Sequence, residues 1–469
     1  MEMTLYKLLR QYGDSDYYGF HMPGHKRNKK FMEEDLPYEI DITEIEGFDD
    51  LHHCEGIIKQ AQDRASRLYG AEETHFLVNG STSGILSAIG GCTNRGDSIL
   101  ISRHCHKSVY HAVELFGLKP YYVYPEKRTE EMERSVLNGQ IYADTVDRML
   151  KEHPEIRAVM IVSPTYDGVI SDVRKIAETA HRHGIPLIVD EAHGAHFGFC
   201  GYFSENANRL GADVVIHSVH KTLPALTQSA LLHINGKRAD RNKIKKYLQM
   251  LQSSSPSYIL MAGIDACMQM LENKGKQEFE RYAEDLQELR QALSQMRSLK
   301  LECIPQYDRS KLVLSTAGTD ISSRDLEKIL REKFHLQMEM TAGDYVLAMT
   351  SLADTKEGLE RLKNALLDID KGLTKLQGTK GRYDLPEMER ILLPWEASEI
   401  RDREFLPFEE CEGKICLEYA YLYPPGSPIA VPGERISKEA KDLLIRYRNK
   451  GFSIQGTEEE NRIGVWING

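Results

Sequence analysis

Short apolar runs alternate with amphipathic stretches through the first two thirds of this chain. Residues 74–78 read as a strand, and 80–90 as a glycine-rich turn that opens a helix. The same alternation gives a strand at 98–101, a helix at 106–116 and a strand at 121–124. Runs 158–162 and 186–189 are apolar almost throughout, with a helical pattern at 173–183 between them. Strands that are apolar on both faces and separated by helices predict an α/β fold with a mostly parallel central sheet flanked by helices. Such sheets bind ligands beyond the carboxyl ends of their strands. Gly80, Ser163, Asp190 and Ser218 all fall at predicted strand ends.

The pattern then changes. Phe279, Tyr282, Leu286, Leu289, Leu293 and Met296 recur at the spacing of one long amphipathic helix. Residues 310–370 read as a small α+β unit. It has strands at 312–314 and 345–349, and a helix start where Ser322 and Asp325 precede Leu326, Ile329 and Leu330. A closing helix carries Leu359, Leu362 and Leu366. Residues 372–384 have the composition of a linker, and 385–469 are punctuated by proline with few helical signals. The expected division is an N-terminal arm (1–45), a large domain (46–300), a small α+β domain (301–375) and a C-terminal domain (376–469).

Composition narrows the function. A chain of 469 residues exceeds one small core. Its net charge of -11 argues against nucleic acid as a partner, and a negative field would attract a cationic substrate. Eight scattered cysteines with no C-x-x-C pair fit the reduced thiols of a cytoplasmic enzyme. No leader-like segment opens the chain, and no apolar run approaches the roughly 20 residues a membrane span needs.

The candidate chemistry lies at the strand ends. Ser218-Val219-His220-Lys221 follows the apolar run 213–217. A lysine there, with a hydroxyl and an imidazole just before it, suits Schiff-base chemistry with an aldehyde cofactor whose phosphate Ser218 and His220 hold. Asp190 ends an apolar run, where a carboxylate is costly to bury unpaired. The protonated ring nitrogen of pyridoxal 5'-phosphate (PLP) would pair it. Gly80-Ser81-Thr82-Ser83-Gly84 offers backbone N–H groups and hydroxyls at a helix start, which either hold an anion or cap the helix. Asp190-Glu191-Ala192-His193 shares its letters with a class of RNA helicases, but no G-x-x-x-x-G-K-[ST] loop accompanies it. His106 reads as a ring stacked on an aromatic cofactor, and His104 and His111 as surface or helix histidines. No paired ligands stand at zinc-site spacing, so no metal is expected. Prolines and glycines around 424–433 fix a double turn that presents Glu434.

Taken in order, these segments resemble the ornithine/lysine/arginine decarboxylase family, PLP enzymes with the aspartate-aminotransferase fold (type I). The resemblance is carried by His-Met-Pro-Gly-His-Lys at 21–26, Asp49-Asp50-Leu51-His52, Asn79-Gly80-Ser81-Thr82-Ser83 and His106-Lys107-Ser108. It continues through Pro164-Thr165-Tyr166-Asp167-Gly168, Asp190-Glu191-Ala192-His193, Ser218-Val219-His220-Lys221, Pro424-Pro425-Gly426 and Pro432-Gly433-Glu434.

It implies that Lys221 carries the cofactor, that Ser81, Thr82, Ser218 and His220 hold its phosphate, that His106 stacks on its ring and that Asp190 pairs its nitrogen. His193 would contact the cofactor or the substrate carboxylate, and Glu434 would lie near the substrate side-chain pocket. A homodimer or an assembly of dimers, with the active site at the interface, is implied as well. Nothing ahead of the arm matches the wing domain of the longer members, and His193 stands where those often carry tryptophan. Both features resemble the short biosynthetic members.

The implied reaction is decarboxylation of a basic amino acid. Arginine to agmatine, in polyamine biosynthesis, is the leading expectation, ahead of lysine to cadaverine and ornithine to putrescine. Glu434, Asp167 and the loop from Glu46 to Asp50 are candidates for the acid that meets the distal cation. His193, His106 and Lys221 are all candidates for the proton donor to Cα. The reading from another class is a PLP-binding but inactive regulatory subunit.

Overall fold

The structure is a computed structural model that describes residues 3–28, 35–376, 383–422 and 426–468. Part of the expected linker and Tyr423-Pro424-Pro425 lie outside the described residues. Seven strands belong to the large sheet: β1 (Glu73–Leu77), β2 (Ser98–Ser102), β3 (Lys119–Val123), β4 (Ile156–Val162), β5 (Leu187–Asp190), β6 (Val214–His217) and β7 (Ala230–Ile234). β2, β5, β6 and β7 are buried at every position, as strands covered on both faces must be. β2 pairs in parallel with β3 and with β4, and β5 pairs in parallel with β6. β7 runs antiparallel to both β6 and β1. The sheet is mostly parallel, as the apolar runs predict.

By internal contacts the chain divides into two compact units, Met1–Cys92 with Gly184–Arg281, and Thr93–His183 with Tyr282–Gly469. The first carries strands in the order β1–β7–β6–β5. Its helices Leu5–Gly13 and Ile57–Tyr69 are tied to the helix Tyr258–Leu293 by one buried ion pair. Arg64, 1% exposed, donates to Asp265, and Asp265 also accepts from Leu5 N at 2.9 Å. Arg64 Nε reaches Glu272 at 3.2 Å.

The start of the helix Ile57–Tyr69 shows how a loop motif can serve structure. Its N-cap is Gly56, which has no side chain to offer the first turn. Asp49 takes that role from seven residues upstream. Its Oδ2 accepts from Gly56 N at 2.8 Å, Ile58 N at 3.0 Å and Lys59 N at 3.3 Å, while Oδ1 accepts from Glu55 N at 3.0 Å.

The second unit carries strands in the order β4–β2–β3. It also holds a smaller sheet of β8 (Lys300–Leu301), β9 (Lys311–Ser315), β10 (Met340–Ala342) and β11 (Tyr345–Met349), in the order β10–β11–β9–β8. The helix Ser323–Phe334 starts where the Ser322 and Asp325 signal places it, with Ser322 Oγ accepting from Asp325 N at 3.1 Å. The helix Lys356–Lys371 follows. Val313, Met340, Tyr345 and Leu347 of the small sheet share one core with Phe408, Ile429, Leu443, Leu444 and Ile463 from the C-terminal segment.

Two expectations need correction. The long helix runs over Tyr258–Leu293, beginning well before Phe279 and ending before Met296. The C-terminal segment contains a regular helix, Lys438–Asn449, capped by Ser437 and burying Ala440, Leu443, Leu444 and Tyr447. Its i, i+3, i+4, i+7 stripe is only one face wide, and the prolines before it mask it. Among the described residues no helix is long and apolar enough to cross a membrane.

Arg64→Met strands the Asp265 carboxylate in the core. It is expected to cost about 3–5 kcal/mol, read as a lower calorimetric Tm. Asp49→Ala is expected to cost about 1–2 kcal/mol through loss of the cap, with a smaller fall in Tm and no change in far-UV dichroism at 20 °C.

Candidate active site

Two strands of the first unit end in polar residues, and a third leads into a helix that starts on glycine. β5 ends at Asp190, and Glu191-Ala192-His193 follow it. β6 ends at His217, followed by Ser218 and the single helical turn Val219–Thr222 that carries His220 and Lys221. β1 ends at Leu77, just before the helix Gly80–Cys92. That helix begins on Gly80 at φ +70°, in the left-handed region, and a Cβ placed there would meet nothing within 4 Å. Ser81 and Thr82 stand in its first turn, with Thr82 exposed.

These elements converge. Ser81 Oγ and Ser218 Oγ are hydrogen-bonded to each other. Lys221 Nζ lies 3.0 Å from His193 Nε2. Asp190 is 3% exposed, and its Oδ1 accepts from Ala192 N at 3.1 Å. Burial pushes its carboxyl upward, against the opposing pull of the Lys221 charge and the Ala192 N–H. His220 Nδ1 lies 3.0 Å from the Ser229 carbonyl oxygen, which can only accept, so Nδ1 carries the proton. Burial lowers the His220 pKa, so the ring is neutral near pH 7 and its Nε2 is an acceptor. A phosphate at that nitrogen would have to stabilise a second proton on the ring.

His106 and Glu434 belong to the second unit. His106 caps the helix Lys107–Leu115, its Nδ1 accepting from Ser108 N at 3.2 Å. Glu434 is buried against Arg103, which is fully buried. Arg103 Nη2 donates to Glu434 Oε2 at 3.2 Å and to Ile429 O at 3.1 Å, and Nη1 donates to Pro428 O at 2.6 Å. Val431 N also donates to Glu434 Oε2, at 3.0 Å. Glu434 Oε1 is buried with no hydrogen-bond partner among the described residues.

The other acidic candidates are engaged locally. Asp167 accepts from Asn138 N at 2.7 Å and from Thr165 Oγ1 at 2.5 Å. Asp49 caps a helix, and Asp50 accepts from His52 N at 2.8 Å and pairs with His53 at 3.0 Å. Sequence reasoning passed over Glu191, His217 and His233, which form a continuous buried hydrogen-bonded line. The available signal was two histidines inside otherwise apolar strands, where each must find a partner. His104 is not a surface histidine. It is buried with neither ring nitrogen bonded among the described residues, and burial lowers its pKa to about 4.

Known proteins share this chain's sequence pattern and fold. Residues 3–317 match the major domain of Orn/Lys/Arg decarboxylases, and residues 387–450 match the C-terminal domain of the same family. The arginine decarboxylase of Bacillus subtilis is 32% identical over 98% of this chain and 96% of its own length. The constitutive lysine decarboxylase of Escherichia coli is 23% identical over 90% of this chain and 72% of its own. Its solved structure superimposes with a TM-score of 0.82 at 20% identity, covering 98% of this chain and 81% of that one. A structure of SPT with PLP shares the fold at a TM-score of 0.52 and 14% identity, over 67% of this chain and 76% of that one. The fold is that of the type I PLP enzymes, and the chain belongs to the Orn/Lys/Arg decarboxylase family, as a decarboxylase of basic amino acids.

Proposed function

We propose that this protein decarboxylates L-arginine to agmatine and carbon dioxide, with PLP bound through Lys221. The observation that carries the reading is the convergence of Lys221, Asp190 and the Ser81–Ser218 hydroxyl pair at neighbouring strand ends. The donor set fits the cofactor. Asp190 is a buried carboxylate whose proton affinity burial has raised, which suits it to a protonated ring nitrogen. The open Gly80 turn and the hydroxyls of Ser81, Thr82 and Ser218 suit a phosphate at a helix N-terminus. His220 joins that set if the phosphate holds its ring doubly protonated. His106, whose Nδ1 accepts from Ser108 N, is assigned by the family resemblance to stacking on the cofactor.

Bound there, PLP supplies a sink for the electron pair that departing carbon dioxide leaves on the substrate Cα. The protein's part is orientation and proton handling. Asp190 would hold a proton on the ring nitrogen. The phosphate contacts of Ser81, Thr82 and Ser218 would anchor the cofactor, and the residues that hold the substrate would decide which Cα bond is broken. Lys221 and His193, 3.0 Å apart, can exchange a proton, and either can deliver one to Cα.

Arginine is preferred because the relative named arginine decarboxylase is the more similar, 32% identical against 23% for the lysine enzyme. Glu434 Oε1, a buried acceptor with a vacant bonding capacity, is the candidate that a guanidinium N–H would meet. We place the active unit in a homodimer. The N-terminal segment leaves Tyr17, Tyr18, Phe20 and Met22 exposed, with Phe20 at 90%, a cluster that a second copy would cover. The scattered thiols, none in a disulfide, suit the cytoplasm.

Carbon dioxide release, measured separately with arginine, lysine and ornithine, tests the substrate. The highest kcat/KM is expected for arginine, and a higher value for either of the others overturns the choice. Lys221→Ala is expected to abolish borohydride-trapped PLP and to lower kcat at least about a thousandfold. Glu434→Gln removes the counter-charge of a fully buried guanidinium. A lower Tm is therefore expected together with a raised KM for arginine, and a fall in Tm with KM unchanged would leave Glu434 a purely structural residue.

A further inference from the structure

Four buried side chains that the mechanism does not use line up across the strands of the first unit. They are Thr74 on β1, His233 on β7, His217 on β6 and Glu191 just beyond β5, none more than 2% exposed. Each bonds to the next. Thr74 Oγ1 is 2.8 Å from His233 Nδ1, His233 Nε2 is 2.9 Å from His217 Nδ1, and His217 Nε2 is 2.7 Å from Glu191 Oε2. Ala207 N donates to Glu191 at 3.0 Å and 3.2 Å. Tyr69 lies against both rings, with centroids 4.6 and 4.9 Å away, and its hydroxyl donates to Ala195 O at 2.7 Å.

A neutral imidazole has one N–H and one acceptor nitrogen. The direction of any bond in this line therefore fixes all the others. With Glu191 ionised, the donors run from the Thr74 hydroxyl through both Nε2–H groups to the carboxylate. With Glu191 protonated, every bond reverses, and both histidines carry their proton on Nδ1. The environment favours the second order. Glu191 hydrogen-bonds to a backbone N–H and an imidazole, not to a lysine or arginine, among the described residues. Asp190 is its neighbour, so ionising it would set two buried anions side by side. Burial pushes the Glu191 carboxyl upward, lowers His217 to about 3 and holds His233 low as well. His196 and Glu205 are the other titratable groups acting on Glu191.

We propose that Glu191 is kept as a neutral carboxylic acid that donates to His217, and that the line Glu191–His217–His233–Thr74 is a positioning device for Asp190 and Lys221. It ties together four adjacent strands, one ending in Asp190 and one leading into Ser218 and Lys221. It also leaves the negative charge at these ends to Asp190. The functional half of this inference rests on the reading of Asp190 and Lys221 as the cofactor site.

Neutron diffraction from deuterated crystals of the full chain locates the deuterons. Deuterons are expected on Glu191 and on Nδ1 of both His217 and His233, and the same imidazole pattern is expected in Glu191→Gln, whose amide can donate to His217. Deuterons on both Nε2 atoms in the native chain, with reversal in Glu191→Gln, would overturn the assignment. Positioning is read from PLP affinity by equilibrium dialysis, with borohydride trapping at Lys221. Glu191→Ala is expected to weaken it about tenfold or more, with Glu191→Gln restoring most of the loss. Native affinity in Glu191→Ala overturns the positioning role. If Glu191→Ala does not fold, the neutron result on the native chain and Glu191→Gln still decides. Failure to trap PLP at Lys221 in the native chain would instead sink the cofactor reading and leave the proton order standing.

Discussion

A carboxylate withdrawn from water has to be met by a cation or by a proton, and the layout of this protein follows from how each buried acid is met. Asp265 is met by Arg64, which ties two N-terminal helices to the long helix Tyr258–Leu293. Glu434 is met by Arg103, which fixes the turn of residues 428–434 to the segment that carries His106. Asp190 has Lys221 and a single backbone N–H, a weaker arrangement than the other two. That incomplete compensation is what supports the proposed pairing of Asp190 with a cationic ring nitrogen.

The same accounting separates structural acids from chemical ones. Asp49 is surrounded by backbone N–H groups that need an acceptor because the helix they begin has glycine at its N-cap. Asp167 is held by Asn138 and Thr165 within its own turn. Both motifs carry the family resemblance, yet in this chain their carboxylates have local partners. A motif therefore marks a place where the fold depends on a particular side chain, and only its partners tell whether that dependence is chemical.

Much of the sheet was legible because its strands are buried on both faces, so that burial itself writes the apolar runs at 158–162 and 186–189 into the sequence. The helix starting after Ser322 was legible because a cap is a local device. The antiparallel strand Ala230–Ile234 was not, since direction is decided by pairing with distant strands and leaves no mark on composition. The helix Lys438–Asn449 was hidden because a one-sided stripe of four residues among charges is a weak signal beside the prolines that precede it.

By itself, the sequence determined which residue types stand at the strand ends. Lys221, Asp190, Ser81 and Ser218 follow from apolar runs that stop at polar residues, and the ordered motifs determined the family. Tertiary structure decided how those groups are spent. It gave Glu434 to Arg103, set the His220 proton on Nδ1 through the Ser229 carbonyl, and buried His104 away from solvent. It also joined Glu191, His217 and His233, carried by three neighbouring strands of the sheet or the turn just after one of them, into one line of hydrogen bonds. Hydrogen-bond partners, proton positions and desolvation depend on what lies across the fold, and no local pattern of residues encodes them.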